Sequence, residues 1–322
     1  MSAAPSIRAA VNWPLTAGEP GLPSSPEAGS KRIRERVFVA SRFVAEVCAQ
    51  DPKRLARWSK SQWFETPFKP GAMRKALRAA LRDAKTEEAF MRSLRRARNE
   101  QMARIAFRDL AGWAPLDETL EALSELADVA LQAALAWAEK SLQQRHGKPR
   151  DEAGAEARPY VLGMGKLGGY ELNFSSDIDL IFGYSAAGET CPEPGRGARG
   201  PRKISNEEYF EKLVQLLTRY LSERSADGFV FRVDWMLRPF GKSGPPAMSS
   251  AALEQYYQAH GREWERYALI KSRVVAGDQA AGAALLETLR PFVYRRYLDF
   301  NAVGNLRELK RMVEEDVARQ GL

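Results

Sequence analysis

Cysteine and histidine are scarce, with two of each among 322 residues. Cys48 and Cys191 lie far apart and match neither a disulfide framework nor a metal-ligand spacing, a usage typical of a reducing compartment. His146 falls near the end of a predicted helix and His260 between helices, where we expect structural or surface roles. A disulfide-built fold and a cysteine-based metal site are therefore excluded.

Long apolar runs are also absent. No run approaches the length of a membrane span, so we expect no membrane partner. Residues 1–31 are rich in Ala, Pro, Gly and Ser and lack the continuous apolar core of a signal peptide. We therefore expect a disordered N-terminal tail and a cytoplasmic protein.

Positive charge is in excess, with a formal net charge of +8. An excess of this sign permits a nucleic-acid partner. Much of it lies between Arg74 and Arg108, however, where arginines at helical spacing are more typical of a solvated face. The chain also has no recognisable RNA-binding module, so we do not expect a nucleic-acid partner.

Residues 161–182 are the most informative stretch, because two apolar runs enclose a glycine turn and two aspartates. Asp177 and Asp179 are two residues apart in a predicted strand, so their side chains point to one face. Carboxylates crowded in this way repel each other unless a cation lies between them. Their hard oxygen atoms suit Mg²⁺, or Mn²⁺, and the pattern predicts a metal-dependent phosphoryl or nucleotidyl transfer site.

The glycines before these aspartates favour phosphate binding. Gly168 and Gly169 have no Cβ, so their backbone N–H groups can approach a phosphate closely, and Lys166 adds a point charge. Neither a Walker loop nor a dinucleotide fingerprint fits the spacing. The alternative is a glycine turn followed by a strand with solvated aspartates, because Asp-x-Asp on its own is a common pattern.

The order of strand, Gly-Gly and Asp-x-Asp resembles the nucleotidyltransferase superfamily. The whole run resembles a narrower family, the bifunctional glutamine synthetase adenylyltransferase/adenylyl-removing enzymes, whose two catalytic domains each carry a Gly-x-Gly-Lys-Leu-Gly-Gly…Ser-Asp-x-Asp-Leu signature. Residues 94–110, 233–245 and 265–273 also resemble that family. Residues 173–175, Asn-Phe-Ser, are similar to its N-terminal, deadenylylating copy.

The resemblance implies an α+β fold, with a nucleotidyltransferase (polymerase-beta-like) mixed-sheet domain flanked by predominantly helical segments. We expect a disordered tail over 1–31, a helical region over 32–147, the catalytic domain over 148–248 with a flexible insertion over 185–204, and a helical region over 249–322. The family enzyme is longer than this chain, so we expect the last helical region to be truncated.

Hydrophobic periodicity predicts the individual elements of these regions. Strands are predicted over 160–164, 178–182 and 229–237. Helices are predicted over 31–50, 71–85, 86–111, 117–144, 205–224 and 302–320, with further helices after Ser249 and after Gly261. The helix after Gly261 is expected to place Val275 near its buried side.

The resemblance also implies the site residues. Three carboxylates would act in catalysis and as metal ligands: Asp177, Asp179 and Asp234. Five further residues would contact the nucleotide or phosphate: Lys166, Gly168, Gly169, Ser176 and Arg238. ADP or ATP and phosphate are the implied substrates. For Asp234, the alternative is a structural ion pair with Arg232 or Arg238.

The implied reaction is removal of AMP from an adenylyl-tyrosine of glutamine synthetase by phosphorolysis, with ADP as the product. Glutamine synthetase and the nitrogen-signalling PII protein are the implied partners. Three alternatives stay open: adenylyl transfer from ATP in the forward direction, an inactive truncated module that binds glutamine synthetase or PII, and an RNA-directed nucleotidyltransferase. Met236 favours the inactive module, because the family usually has arginine there; Lys242 also departs, since an acidic residue is frequent at that position.

Overall fold

The computed structural model describes residues 26–69, 71–192, 202–294 and 300–319. Within these ranges, no helix is long and apolar enough to cross a membrane. The chain divides into two compact units, one of residues 1–129 with 226–230 and one of residues 130–225 with 231–322.

Helices build the first unit. They are α1 (Pro26–Ala40), α2 (Arg42–Ala49), α3 (Pro52–Lys60), α4 (Ala72–Leu81) and α5 (Glu87–Ala111). A sixth helix, α6 (Leu116–His146), begins in this unit and continues into the second. The helical region predicted from periodicity is therefore present, with α3 as an additional helix.

Side-chain caps determine where several of these helices begin. Ser41, Asp51 and Thr86 each accept a hydrogen bond from the backbone N–H three residues later, which satisfies a donor that the first helical turn leaves unpaired. Ser41 thus divides the helix predicted over 31–50 into α1 and α2. Asp51, predicted to end a helix, also begins the next one.

An arginine is buried in this unit beside an aromatic cluster. Phe64 and Phe107 stack with ring centroids 4.3 Å apart. Arg108 is 1% exposed; it pairs with Glu118 at 2.8 Å and donates to the carbonyls of Phe64 and Glu65 at 3.0 and 2.7 Å. A buried guanidinium requires such partners, so Arg108 fixes the 64–65 segment against α5.

A mixed sheet forms the centre of the second unit. Its strands are β2 (Pro159–Gly163), β3 (Ile178–Tyr184), β5 (Val233–Asp234), β6 (Met248–Ser249) and β7 (Arg273–Gly277). β2 pairs antiparallel with β3 on one side and with β7 on the other, whereas β5 and β6 pair parallel with β3. The predicted α+β class with a mixed sheet is confirmed.

A second, two-stranded sheet corrects the interpretation of residues 185–204. Within this predicted flexible insertion, β4 (Glu189–Cys191) pairs antiparallel with β1 (Lys148–Arg150). The buried Thr190 explains why this segment forms a strand. Its backbone N–H donates to the Ile204 carbonyl at 2.8 Å, and its hydroxyl accepts from the Ile204 N–H at 3.0 Å. Residues 193–201 of the insertion lie outside the described part of the chain.

One strand prediction and one helix prediction also need correction. The strand predicted over 229–237 is only two residues long, because the Asp234 carboxylate accepts from the Met236 N–H at 2.7 Å and turns the chain. Val275, assigned to a helix, lies in β7, since the helix before it ends at Ile270. The predicted helical region after residue 249 thus contributes a strand to the sheet.

The second unit also contains helices. They are α7 (Gly165–Gly168), α8 (Asn206–Ser222), α9 (Ser250–His260), α10 (Glu263–Ile270), α11 (Gln279–Val293) and α12 (Phe300–Arg319). Ser205 caps α8 as its sequence predicts, by accepting from the Glu208 N–H. A core cluster joins β2 and β3 to α9, α10 and α11 and includes Tyr160, Leu162, Ile181, Leu253 and Leu285.

Candidate active site

The parallel pairing of β3 and β5 brings two of the predicted carboxylates together. Asp179 and Asp234 are register partners across this pair, as are Ile178 and Val233. Register partners on neighbouring strands direct their side chains to the same face of a sheet. The face that carries Asp179 is thus also the face of Asp234, and Asp177 lies just before β3.

The electrostatics of Asp179 reflect this crowding. Burial, followed by the charges of Asp234 and Asp177, raises the pKa of Asp179 above its usual value of 3.8, and Lys166 opposes the shift. Both neighbouring carboxylates contribute to the raised pKa of Asp179, as expected for acidic groups that lie close together. A cation at this place would relieve the repulsion.

Asp177 is held by an arginine. Arg232 forms an ion pair with the Asp177 carboxylate through Nε, and its Nη2 donates to the Ser175 carbonyl at 2.6 Å. Both side chains are about half exposed, at 48% for Asp177 and 49% for Arg232. The alternative role for Asp234, an ion pair with Arg232, is therefore not seen among the described residues, because Arg232 pairs with Asp177.

Gly165 is the residue that makes room for the Asp179 carboxylate. A Cβ on Gly165 would lie 2.8 Å from Asp179 Oδ2, and its φ of +53° belongs to the left-handed region that favours glycine. The N–H of the preceding Met164 donates to the Asp179 carbonyl at 2.9 Å. The glycine turn and the carboxylate are thus in direct contact, although sequence analysis did not single out Gly165.

The two predicted phosphate-binding glycines lie at the end of α7. The Gly168 N–H donates to the Met164 carbonyl at 2.9 Å and the Gly169 N–H to the Gly165 carbonyl at 3.1 Å. A phosphate contact from these groups would compete with those bonds. Gly168 has a packing role as well, since a Cβ there would overlap the carbonyl oxygen of Lys271.

The other three predicted phosphate contacts differ in their surroundings. Lys166 is exposed and acts electrostatically on Asp179. The Ser176 hydroxyl donates to the Asn173 side chain. Arg238 donates to the carbonyls of Trp235, Lys242 and Gly244 at 3.0 to 3.3 Å, so its guanidinium holds its own loop together. A phosphate role for each of the three stays a prediction.

Two more cationic residues, at and just before the start of β7, contact other residues of the protein. Lys271 pairs with Glu171 at 2.6 Å. The Arg273 guanidinium lies 3.8 Å from the centre of the Tyr170 ring and donates to the Leu167 carbonyl at 3.0 Å. These contacts tie β7 to the segment after α7.

The carboxylates fit a divalent cation in chemistry and in charge. All three offer hard oxygen donors of the kind that Mg²⁺ prefers, and the pKa of Asp179 is raised first by burial and then by the charges of the other two carboxylates. Within the described ranges, no three Asp, Glu, His or Cys residues are placed so that they could hold a metal ion together. Arg232 already pairs with one oxygen of Asp177, and the metal-ligand role of the three aspartates stays a prediction.

Comparison with known proteins shows the family of the chain. The family model described as glutamate-ammonia ligase adenylyltransferase matches residues 31–288. Bifunctional glutamine synthetase adenylyltransferase/adenylyl-removing enzymes are similar over most of the chain: the one from Thioalkalivibrio sulfidiphilus is 50% identical over 88% of this chain, and that from Pseudomonas aeruginosa is 47% identical over 98%. The one from Xanthomonas campestris is 42% identical over 98%.

The match covers only part of these relatives, because this chain spans 29% to 32% of their length. It nevertheless includes the glycine turn, all three aspartates and the strands that bring Asp179 and Asp234 together. The chain belongs to the glutamate-ammonia ligase adenylyltransferase family.

Proposed function

We propose that this chain is a nucleotidyltransferase that removes AMP from an adenylyl-tyrosine of glutamine synthetase by phosphorolysis. The relatives are named for both adenylyl transfer and adenylyl removal on glutamine synthetase. The Asn-Phe-Ser sequence at 173–175 favours removal, because it resembles the deadenylylating copy. The observation that carries the proposal is the register pairing of Asp179 with Asp234 beside the glycine turn.

The reaction exchanges one phosphorus–oxygen bond for another. An orthophosphate oxygen bonds to the AMP phosphorus while the bond from that phosphorus to the tyrosine oxygen breaks, and ADP and a tyrosine hydroxyl result. Negative charge passes to the tyrosine oxygen in this step. The protein's contribution is therefore to position the two phosphates and to stabilise charge, as in phosphoryl transfer generally.

The aspartates would supply the site for this charge stabilisation. Asp179 and Asp234, together with Asp177, would hold Mg²⁺ or Mn²⁺, which when bound neutralises phosphoryl oxygens and stabilises the leaving oxygen. Lys166, exposed next to Asp179, would attract the phosphates. Gly165 leaves room for the Asp179 carboxylate, because it has no Cβ to fill that space.

A direct test incubates the chain with adenylylated glutamine synthetase, Mg²⁺ and phosphate and measures ADP. Asp179→Asn keeps the size of the side chain and removes its charge, so we expect a loss of at least about 100-fold, as for removal of a group that stabilises transition-state charge. Asp83→Asn, at an exposed carboxylate outside the site, is the matched control and should retain full activity. Equal rates in the parent and Asp179→Asn would contradict the proposal.

The second candidate is the forward reaction, adenylyl transfer from ATP to the tyrosine. It is favoured by the first half of the relatives' name and would use the same carboxylates. Label transferred from α-labelled ATP to unmodified glutamine synthetase, with no ADP formed from the adenylylated protein, would establish this direction.

A third candidate keeps the partners and omits the chemistry. Glutamine synthetase and the PII protein are proposed as binding partners on the family resemblance, and the exposed Met236, in place of the family's usual arginine, favours a binding role. Retention of all three aspartates opposes it. A folded chain that binds glutamine synthetase and changes its adenylylation in neither direction would decide for this candidate.

A further inference from the structure

A groove in the second unit lies away from the aspartates and shares no residue with them. It has a volume of about 480 Å³ and lies between the last turn of α6 and one face of α8. The α8 residues that line it include Glu208, Lys212 and Arg219, which recur at helical spacing on one face. The opposite face of α8 is buried in the core through Phe210, Leu213 and Leu217.

The charge of the groove is strongly positive. Four lining residues carry a cation, namely Arg145, Arg202, Lys212 and Arg219, against the single carboxylate of Glu208. Lys212 pairs with Glu208 at 3.3 Å, and Arg219 approaches Glu223 at 3.9 Å. Even with the Lys212–Glu208 and Arg219–Glu223 pairs counted as neutral, the charges of Arg145 and Arg202 give the groove a net positive charge. The groove therefore attracts anions.

Helix ends explain only part of this charge. Arg145 and Arg219 lie in the last turns of their helices, where cations are favourable. Lys212 lies in the middle of α8, and Arg202 precedes the N-terminus of that helix, where a cation is unfavourable. Cations thus collect around the groove from positions that helix stability does not require.

The floor of the groove is apolar. Leu142 and Ile204 are 3% and 5% exposed, and Leu216 is half-buried beside them. An apolar floor below a cationic rim suits a ligand with a flat hydrophobic part and a phosphate part. The volume lies in the range of small-molecule pockets, so one ligand of nucleotide size fits better than an extended polymer.

The geometry points to a nucleoside-phosphate site in the α6–α8 groove, separate from the aspartate centre. Arg145 and Lys212, one from each helix, would bind the phosphates, and the apolar floor would contact the base. The site does not rest on the proposed function, because it uses neither the aspartates nor a metal. A ligand here would bind whether or not the chain is catalytic.

The test is a calorimetric titration of the full chain with ADP in EDTA, which removes divalent cations from the aspartate centre. The double variant Arg145→Gln/Lys212→Gln removes one cation from each side of the groove, and we expect it to weaken ADP binding by at least about tenfold. Arg290→Gln, at an exposed arginine paired with Glu287 in α11, is the matched control. It should change the affinity by less than about twofold.

Two further measurements complete the test. Asp179→Asn should leave ADP binding in EDTA unchanged, which places the bound ADP outside the aspartate centre. Raising the salt concentration should weaken ADP binding, because the attraction is electrostatic. Absence of ADP binding by the parent chain, or equal affinity in the double variant, would overturn the proposal. It would also be overturned if Asp179→Asn abolished binding, or if a single-stranded RNA bound the groove and ADP did not. Circular dichroism would establish that each variant is folded.

Discussion

At the scale of single residues, the site depends on how a few side chains share a small space. The Asp179 carboxylate lies where a Cβ on residue 165 would approach it too closely. The charges of Asp234 and Asp177 help to raise its pKa. Asp177 is shared between this cluster and Arg232. Three changes separate these effects from one another.

Gly165→Ala tests the space beside Asp179. The new Cβ would lie 2.8 Å from Asp179 Oδ2 on a backbone with φ of +53°, so we expect a loss of about 1–2 kcal/mol in the free energy of unfolding together with loss of activity. Gly154→Ala is the control, because its φ is +84° with nothing within 4 Å of the new Cβ. It should show the stability loss in urea unfolding and keep its activity. Full activity in Gly165→Ala would contradict the account.

Asp179→Asn tests, through the pH dependence of stability, the burial and the neighbouring negative charges that raise the pKa of Asp179. The folded-state pKa of Asp179 is raised above 3.8, so its ionised form costs stability at pH values above the folded pKa, and this cost is absent below the unfolded value. In EDTA the variant should therefore melt at a higher temperature than the parent at pH 7. The difference should shrink as the pH falls through the folded pKa of Asp179. A variant less stable than the parent at neutral pH would contradict a raised pKa of Asp179 in the folded protein.

Arg232→Gln tests the competition for Asp177. An exposed ion pair contributes up to about 1 kcal/mol, so its removal should lower the Mg²⁺ concentration for half-maximal activity by about two- to fivefold. Arg158→Gln, which breaks an exposed pair with Asp278, should leave that concentration unchanged. If Arg232→Gln has no effect on the Mg²⁺ requirement, Asp177 is not a ligand.

At the scale of secondary-structure elements, the sheet positions the site through strands of very unequal length. Alternation predicts that Asp177 and Asp179 share a face; β3 begins at Ile178, so only Asp179 of the two lies in the strand. The two-residue strand β5 is too short for periodicity to define, because Asp234 itself turns the chain by accepting from the Met236 N–H. The pairing of Asp234 with Asp179 followed from the family resemblance and is now visible as strand register.

The strand β7 shows why some elements of the sheet could not be predicted from the sequence. Arg273–Gly277 follows a helical run with only Lys271 and Ser272 between them, so local periodicity continues the helix through Val275. Its partner β2 is more than a hundred residues earlier in the chain. Similarly, Thr190 orders β4 within a Gly- and Pro-rich segment through hydrogen bonds to Ile204. Both elements depend on contacts that are distant in sequence or carried by one side chain.

Gly168→Ala tests the packing of α7 against the segment that leads into β7. The new Cβ would overlap the Lys271 backbone carbonyl, which cannot move without shifting the chain, so we expect a loss of about 1–3 kcal/mol in the free energy of unfolding. At Gly169 the same change meets the flexible Lys271 Cδ at 3.2 Å, and Gly169→Ala should cost less than about 1 kcal/mol. Equal losses in urea unfolding would remove the packing role assigned to Gly168.

At the scale of the whole molecule, membership of the family is established while the reaction is a proposal. The chain spans about three tenths of its relatives, at 29% to 32% of their length, and it contains the complete aspartate cluster in its second unit. Because a nucleotidyltransferase site can run in either direction, the fate of the phosphorus atom decides the function. Labelled orthophosphate reports the outcome, because phosphorolysis makes its phosphorus the β-phosphorus of ADP.

The decisive measurement incubates the chain with adenylylated glutamine synthetase, Mg²⁺ and radiolabelled orthophosphate, and separates the nucleotides formed. Phosphorolysis predicts labelled ADP from the parent chain and none from Asp179→Asn. Unlabelled AMP would show that water, and not phosphate, attacks the phosphorus. If a chain shown to be folded releases neither nucleotide, the proposal that the Asp179–Asp234 centre removes adenylyl groups is contradicted.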